Sequence, residues 1–376
     1  MSRPGGFAFA MNLSRADHVL PTMARFLLPF AFLALLPIGA ALGGGWTFLA
    51  AIVTLATLLA QDGLGSAELI RGGTATGAIS RWIPRAYILL QLAATAWAAS
   101  LVARGTRPIE LVGLIASTGV TAGIFGFLAA HELVHSRDRR ERALGMLFLA
   151  STFYLHFRIA HLFGHHRRAA TFDDPATARL GESLYAFVLR SILGQFRESW
   201  EHETKRLGRS HRHGFDNRVI AYLAIELSTV AILALISVPV LIYLLCVAVI
   251  AVGLLETFNY VAHYGILRRR QPNGKFEQLQ PRHSWNSRGT INNAALFNMG
   301  RHSDHHRHPS RSYDLLAPIA DETVLPTGYA RAMAMAFMPA LWRRRMDMRA
   351  KAAVARSEGL EPPTSGFEAR RSIQLS

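Results

Sequence analysis

The sequence predicts an all-α polytopic membrane protein with six transmembrane helices. Of its 376 residues, 51% are hydrophobic, and they gather in long blocks that approach the roughly 20 residues needed to cross a bilayer. Lysine and arginine concentrate between some of these blocks and avoid others, as loops on two sides of a membrane do. Histidines cluster where several blocks end. These three observations favour a membrane protein over a soluble domain.

The predicted spans follow from the apolar runs. They cover residues 23–42, 46–60, 86–102, 110–130, 219–236 and 241–261. Gly43, Gly44 and Gly45 predict a tight turn after the first span, and Pro239 marks the hairpin between the last two because proline breaks a helix. The apolar run 185–193 is too short to cross, so we expect it to be interfacial or buried.

The basic residues predict which side of the membrane each loop occupies. Residues 131–217 hold 14 Lys or Arg and residues 263–376 hold 18, whereas the opposite face has only Arg104 and Arg107. The positive-inside rule therefore places both termini and the histidines in the cytoplasm. The net charge of +16 is then explained by the topology, by contact with anionic lipid and by docking of an acidic redox partner. No nucleic acid partner is expected.

Cysteine content excludes two classes of site. Cys246 is the single cysteine, so this chain can form neither an internal disulfide nor a cysteine-based iron–sulfur or zinc site. Since it lies within an apolar run, we expect Cys246 to be a small buried hydrophobic residue.

Nine histidines in four places indicate a metal site. Spacings of three to five residues put clustered histidines near one face of a helix, where they can converge. We expect the three histidines of the last cluster, for example, to converge on one point. The nine are His131, His135, His161, His165, His166, His263, His302, His305 and His306.

Nine imidazoles are too many for one ion and suit two. Neutral imidazole binds iron, zinc, copper and nickel. Each ligand also needs an acceptor for its other ring nitrogen, and Glu132, Asp174 and Asp304 are the nearest acidic candidates. We expect ordinary polar roles for the other histidines, which are His18, His156, His202, His211, His213, His283 and His308.

Two other functional classes compete at this point. The sequence from His131 to His135 matches the H-E-x-x-H zinc-peptidase pattern with Glu132 as a catalytic residue, but the remaining clusters would then have no role. A metal transporter would place ionisable residues near mid-membrane, where only Glu256 lies.

The histidine motifs and their neighbours resemble the integral-membrane alkane 1-monooxygenases, the alkane hydroxylase branch of the membrane fatty acid desaturase/hydroxylase superfamily. The resemblance covers about residues 100–350, within a membrane domain at 23–350 flanked by a cytoplasmic segment 1–22 and a disordered tail 351–376. The motifs that carry it are HELVH at 131–135, HLFGHH at 161–166, DDPATAR at 173–179, GES at 181–183, NYVAHYG at 259–265, RHSDHH at 301–306, LPTGY at 325–329 and LWRRRM at 341–346.

The resemblance implies six transmembrane helices and a cytoplasmic all-histidine di-iron site in a bacterial-type inner (plasma) membrane. The nine clustered histidines would be its ligands, with no catalytic residue beyond them. The implied reaction is O2-dependent hydroxylation of an apolar substrate from the bilayer, foremost a medium-chain alkane, to a primary alcohol. Electrons would come from rubredoxin or ferredoxin and its reductase. A desaturase or hydroxylase of acyl lipid, alkyl-aromatic or terpene substrates stays open.

The chain departs from the family pattern at two positions. Family members usually carry glutamate just before the first histidine of the second cluster and just before the tyrosine-flanked histidine, where this chain has Ala160 and Ala262. No ligand is lost, so two metals are still expected, but two acidic groups near the site are missing. The chain also lacks paired cysteines for a fused rubredoxin, which implies a separate electron donor.

Overall fold

The computed structural model describes residues 24–62, 80–210 and 214–357, and these residues are mostly helical. The expected N-terminal segment 1–22 lies outside the described residues, as do residues 358–376 of the expected tail. Residues 351–357 of that segment belong to the last helix.

Six helices are long and apolar enough to cross a membrane, which confirms the predicted fold class. They are α1 Arg25–Leu42, α2 Gly44–Gln61, α3 Trp82–Ala103, α4 Pro108–His135, α8 Arg218–Ile236 and α9 Val238–Ala262. The remaining helices are α5 Arg139–Ser151, α6 at 157–168, α7 Leu184–Ser210, α10 Thr290–Ala295, α11 His302–Arg307, α12 Tyr329–Ala336 and α13 Pro339–Ser357. Each predicted span coincides with one of the six apart from its ends.

The predicted glycine turn joins α1 to α2. Gly43 and Gly44 have φ values of 71° and 54°, a conformation that side chains with a Cβ rarely adopt. The Gly44 amide donates to Glu110 at 2.9 Å, and Glu110 also pairs with Arg107 in the turn before α4. One carboxylate thus ties together the two loops at the membrane face opposite the histidines.

Helix α4 forms the centre of the bundle. Its most apolar stretch is 78% buried within the protein, whereas that of α8 is 6% buried and therefore faces lipid. Glycines let the neighbours of α4 approach closely. A Cβ on Gly119 would lie 2.8 Å from Ile250 and one on Gly123 would lie 2.9 Å from the Ala251 backbone. This close packing fixes α4 against α9, and both helices carry histidines at their ends.

Two π-helical segments interrupt the regular helices near the histidines. One covers Ala122–Gly126 within α4, and the other covers Ala160–His165 within α6. A π turn contains one more residue than an α turn, so it rotates the side chains that follow it. The second segment contains His161 and His165 and ends directly before His166.

A small sheet holds the last histidine cluster in place. Strands β1 Trp285–Asn286 and β2 Thr323–Val324 pair in parallel, with Trp285 opposite Thr323. Asn286 accepts from the Ser303 amide at 2.9 Å and donates to the Ser303 hydroxyl at 2.7 Å. These bonds attach the six-residue helix α11 to the sheet, since so short a helix is not stable alone.

The run 185–193 belongs to a longer helix than its apolar length suggests. It forms the first third of α7, and Tyr185, Leu189 and Leu193 are each more than 60% exposed at a spacing of four residues. This apolar stripe beside a charged remainder fits a helix at the membrane interface, as expected for a run too short to cross.

Candidate metal centre

The nine histidines predicted as ligands all come together in the structure, in two adjacent groups. Within each group, one nitrogen per imidazole lies within 4.8 Å of all the others. The first, called here the five-histidine group, comprises His131, His135, His161, His166 and His305. The second, the four-histidine group, comprises His165, His263, His302 and His306.

The nitrogens converge at the spacing that metal coordination requires. Nε2 of His161 lies 2.7 Å from that of His131 and 3.0 Å from that of His135. In the other group, Nε2 of His302 lies 2.9 Å from that of His263 and 3.0 Å from that of His306. Imidazole nitrogens bound at about 2.1 Å and at right angles around one ion would lie about 3 Å apart. Both groups therefore fit a metal ion.

The last cluster does not converge on one point, which corrects the prediction. His305 joins the five-histidine group, whereas His302 and His306 join the other. The adjacent His165 and His166 are divided in the same way. A helix turns by about 100° per residue, so His305 at i+3 lies about 60° to one side of His302, whereas His306 at i+4 lies about 40° to the other side. Sequence spacing alone did not specify this division.

Four elements carry the nine histidines, and α11 carries three of them. His131 and His135 lie one turn apart in the last turns of α4. The π segment of α6 and the residue after it carry His161, His165 and His166. His263 caps the end of α9, is fully buried, and is the only ligand of its segment. Ligands from distant parts of the sequence therefore meet where α4, α6, α9 and α11 converge.

One predicted carboxylate orients a ligand. Asp174 Oδ2 accepts from Nδ1 of His165 at 2.8 Å and from the Thr177 hydroxyl at 2.6 Å, and the Ala176 amide donates to Oδ1 at 3.1 Å. Burial acts to raise the pKa of Asp174, but the His165 imidazole and these hydrogen bonds hold it below its ordinary value. An ionised Asp174 would fix the His165 ring so that Nε2 faces the metal.

The other two predicted carboxylates do not contact the ligand imidazoles, which corrects the expectation for them. Asp304 accepts from Arg311 and from Nδ1 of His308, each at 2.8 Å, and from the Ala317 amide at 2.9 Å. Glu132 accepts from the Tyr313 amide at 3.2 Å. Both side chains therefore hold the loop after α11 instead.

Comparisons with known proteins agree with this geometry. The family model for fatty acid desaturase matches residues 107–338. The chain belongs to the fatty acid desaturase family. It is 41% identical over 250 residues to alkane 1-monooxygenase 1 of Alcanivorax borkumensis, an alignment that covers 65% of this chain and 62% of the relative.

Further relatives extend the match. The chain is 35% identical over 283 residues to alkane 1-monooxygenase 2 of Pseudomonas aeruginosa, covering 74% of this chain and 75% of that protein. A xylene/toluene monooxygenase hydroxylase component of Pseudomonas putida is 25% identical over 240 residues. The resemblance to the alkane hydroxylase branch of the family is thus confirmed, and the chain is a multi-pass membrane protein.

The other histidines that the structure describes lie outside both groups. His283 bonds Glu277 at 3.1 Å, His308 bonds Asp304, and His202 stacks on Phe163 with ring centroids 4.7 Å apart. His156 is buried beside Tyr154. Three further histidines for which ordinary polar roles are expected, His18, His211 and His213, lie outside the described residues.

Burial keeps four of the clustered histidines neutral. It is the largest cause that lowers the pKa of His161, His305 and His306 well below the ordinary value, and the neighbouring imidazoles add to the effect. The pKa of His302 falls to about 3 for the same reasons. A neutral imidazole has a free lone pair, so both groups are prepared to bind a metal without first losing protons.

The positions that depart from the family pattern lie inside the packed core. Ala160 and Ala262 are fully buried, each directly before a ligand histidine. The nearby Glu256 does not replace the missing acids. Its carboxylate accepts from Tyr154 at 3.0 Å and from Gln195 at 2.9 Å, and it contacts no histidine within the described part of the chain.

Two cavities lie near the histidines, and one of them reaches a histidine. An apolar cavity of about 370 Å³ lies between α2, α4, α9 and α12 and is lined by sixteen carbon-rich residues including Leu128 and Phe258. The Phe258 ring lies 5.6 Å from that of His302. A polar cavity of about 350 Å³ reaches His135 from another side and is lined by Arg81, Arg137 and others. The lining residues come from distant segments, so no local motif marks them.

Proposed function

We propose that the protein is a di-iron monooxygenase that hydroxylates an unactivated C–H bond of an apolar substrate, foremost a medium-chain alkane, to a primary alcohol. The observation that carries the proposal is the pair of buried imidazole groups with five and four converging nitrogens. The alkane 1-monooxygenases of Alcanivorax and Pseudomonas support the substrate class. The alignments cover 62% and 75% of these relatives, so the activity is inferred from the shared part.

The number of donors supports iron over zinc. Structural zinc is almost always tetrahedral with four ligands. Five imidazoles in one group exceed a zinc set. An H-E-x-x-H zinc peptidase is disfavoured for the same reason.

The residues of this chain would bind and orient the reactants. The nine histidines would hold the metals, and Asp174 would fix one of the rings. When bound, a pair of irons supplies the redox chemistry that activates O2, the co-substrate. The apolar cavity would bind the alkane and bring one end past Phe258 to the histidines. Its lining excludes water from the C–H bond to be oxidised.

The electrons would come from a separate rubredoxin or ferredoxin with its reductase. With Cys246 as its single cysteine, the chain has no cysteine set for an iron centre of its own. The polar cavity at His135 brings the protein surface to one of the nine histidines. Its lining holds three carboxylates and four arginines, and Arg81 and Arg137, which form no ion pair among the described residues, would attract an acidic donor.

The proposed location is a bacterial-type inner membrane with both termini and the metal site in the cytoplasm, inside a domain at 23–350. The asymmetry of lysine and arginine supports this orientation. In a Cys246→Ser background, cysteines at the exposed positions Arg140 and Arg270 should react with an impermeant thiol reagent only from the cytoplasmic side, and one at Arg104 only from the other. Labelling of position 140 from outside would contradict the orientation.

A second candidate keeps the metals and changes the substrate. The match to the fatty acid desaturase model favours an acyl lipid, and the similarity to a xylene/toluene monooxygenase component favours an alkyl-aromatic. Terpenes belong to the same class of apolar hydrocarbon substrates.

The test measures metal and product on the same preparation. Protein expressed with ample iron should contain close to two irons per chain by elemental analysis. With a rubredoxin, its reductase and O2, octane should yield 1-octanol by mass spectrometry, in preference to alkyl-aromatics, terpenes and acyl lipids. Stoichiometric zinc would contradict the di-iron centre, and a desaturated acyl product would favour the second candidate.

A further inference from the structure

A pocket of about 490 Å³ lies at the end of α2. Because α2 starts at the glycine turn, which is opposite the histidines, its end lies on their side of the membrane. Three arginines line the pocket, Arg331 of α12 and Arg345 and Arg349 of α13. The other lining residues are largely apolar and include Leu59, Ala334, Met335 and Met338. The pocket is therefore amphipathic, with guanidinium groups beside methyl and methylene groups.

Two of these arginines have no acidic partner. Arg345 and Arg349 are exposed, and no ion pair joins either of them to a carboxylate in the part of the chain that the structure describes. Asp347 lies between them in the sequence of α13, but its carboxylate accepts from the Tyr264 hydroxyl at 2.6 Å. The pocket therefore keeps uncompensated positive charge on α13.

Apolar surface leads from the pocket into the bilayer. Ile52 and Leu55 of α2 are exposed, and with Leu59 they follow the i, i+3, i+7 spacing of one helix face. This stripe on α2 extends for about 10 Å, since a helix rises by about 1.5 Å per residue. Phe337 and Met338, between α12 and α13, are also exposed beside the pocket. Exposed apolar side chains on a transmembrane helix contact lipid, so the pocket opens towards acyl chains.

The pocket lies at the level of the membrane surface. The Tyr185 hydroxyl donates to the Phe337 carbonyl at 2.9 Å, which places the start of α7 beside the start of α13. Tyr185 begins the exposed apolar stripe of α7, and that stripe fits a helix at the membrane interface. The arginines of the pocket therefore lie at the depth of the phospholipid headgroups.

We propose that the pocket binds one anionic phospholipid of the phosphatidylglycerol class, with its phosphate on Arg345 and Arg349 and its acyl chains on the stripe of α2. Planar guanidinium groups match phosphate oxygens with paired, charge-assisted hydrogen bonds. Free phosphate has the same headgroup chemistry, but it would leave the apolar part of the pocket unused. The lipid is a structural ligand and not a substrate, so the inference goes beyond the proposed function and requires neither metal nor turnover.

A bound lipid would connect α2 to α13. Arg331 already attaches α12 to α2, because its Nε donates to the Leu59 carbonyl at 3.0 Å and its amide donates to the Asp62 carboxylate at 2.8 Å. The side chain of Arg349 instead donates to the Arg345 carbonyl of its own helix at 2.5 Å. A phosphate held by α13 and acyl chains held by α2 would add the missing connection. Since the lipid would bind the folded state, it should raise the thermal stability.

The experiment compares two double variants of equal charge on α13. Arg345→Gln with Arg349→Gln removes the pocket arginines, whereas Arg343→Gln with Arg344→Gln removes two exposed arginines that do not line the pocket. Native mass spectrometry of the delipidated full chain in detergent measures the binding of dioleoyl phosphatidylglycerol. The pocket variant should bind it about thirtyfold more weakly than the wild type, since each arginine near an anionic lipid contributes about fivefold. The control variant should bind it as the wild type does.

A thermal unfolding assay distinguishes the possible ligands. Dioleoyl phosphatidylglycerol should raise the melting temperature of the wild type and the control variant by a few degrees, and that of the pocket variant much less. Dioleoyl phosphatidylcholine, with the same chains and no net charge, and inorganic phosphate should have little effect on any of them. Arg345→Lys with Arg349→Lys keeps the charge and should restore part of the response, which excludes misfolding as the cause of its loss.

The outcomes test the lipid site separately from the hydroxylase. Equal binding of the two lipids by the wild type, or equal weakening in the pocket and control variants, would overturn the inference. Stabilisation by inorganic phosphate alone would assign the arginines to a free anion and overturn it. A pocket variant that binds the anionic lipid normally but binds a rubredoxin more weakly would assign them to the electron donor, with the same result. Binding of the lipid that depends on Arg345 and Arg349, in protein that turns over no substrate, would support the site and count against the hydroxylase.

Discussion

The five-histidine and four-histidine groups lie side by side but are built differently. The four-histidine group has one ring fixed by a carboxylate, His165 by Asp174, and three of its members are buried to within 3% of complete. In the five-histidine group, no ligand contacts a carboxylate among the described residues, and His135 and His166 are partly exposed. The five-histidine group therefore has more histidines, whereas the four-histidine group has the carboxylate support, and we expect their metals to respond differently to substitution.

The largest effects should follow the loss of a ligand. His305→Ala leaves four imidazoles in the five-histidine group, whereas His165→Ala leaves three in the other and also removes the partner of Asp174. Both variants should abolish hydroxylation and lower the iron content, and His165→Ala should lower it more. Elemental analysis and an octane assay check this, with His202→Ala, outside both groups, as the control. Equal iron loss in the two variants would remove the predicted asymmetry.

The next largest effect should follow the loss of the Asp174 carboxylate. Asp174→Asn keeps the size of the side chain but removes its charge from Nδ1 of His165, and the neighbouring exposed Asp173→Asn serves as a matched control. Acceptors of this kind are typically worth about 10–100-fold in metal affinity or activity. Chelator titration should show weaker binding of one iron and an unchanged second iron. Weakening of both irons alike would mean that the two groups are not independent.

Substitution of Asp304 should have a smaller effect that is equal at the two groups, because Asp304 supports α11, and α11 supplies histidines to both. Its carboxylate is 2% exposed and holds Arg311 and the Ala317 amide. Asp304→Asn should lower thermal stability, because each hydrogen bond to a charged group is worth about 1.5–3 kcal/mol. Iron content should fall equally at both groups as α11 loosens. A loss confined to one group would show that Asp304 acts on a single ligand.

The comparison also shows what the sequence could predict. Apolar length and basic loops located the six spans, and helical spacing selected eight of the nine histidines, because both signals are local along the chain. His263 is single and was included from its place at the end of an apolar run and from the motif around it. The partition of the histidines was not predictable, since it depends on the π turn before His166 and on how α11 meets α4. Hydropathy likewise did not distinguish the buried α4 from the lipid-facing α8.

The sequence also could not predict which residues of different segments come into contact. Asp174 is nine residues from His165, and a sequence scan finds it as easily as Asp304, which lies beside its cluster. Yet Asp174 contacts a ligand and Asp304 does not. The cavity at Leu59 and Ala334 joins residues far apart in sequence, so only the tertiary structure brings them together.

The smallest effect concerns the two alanines, one beside each group. Ala160 precedes His161 of the five-histidine group, and Ala262 precedes His263 of the four-histidine group. Nδ1 of His263 approaches the His283 backbone but lacks a hydrogen bond of normal geometry. A carboxylate at position 262 would supply an acceptor there, and a charge-assisted bond is about twice as strong as a neutral one. We therefore expect the two alanines to tune the site rather than to determine whether metal binds.

Ala262→Glu should raise hydroxylation of medium-chain alkanes severalfold at constant iron content if the alanine is a loss, and Ala160→Glu should have less effect. Overpacking of a fully buried site works against the gain, so Ala262→Gln, of the same size without charge, is the control. If the alanines are instead an adaptation to another substrate, Ala262→Glu should reduce activity on that substrate in the same panel. Equal changes in the Glu and Gln variants would indicate a steric effect. An unchanged panel at equal iron occupancy would show that these positions do not tune the site.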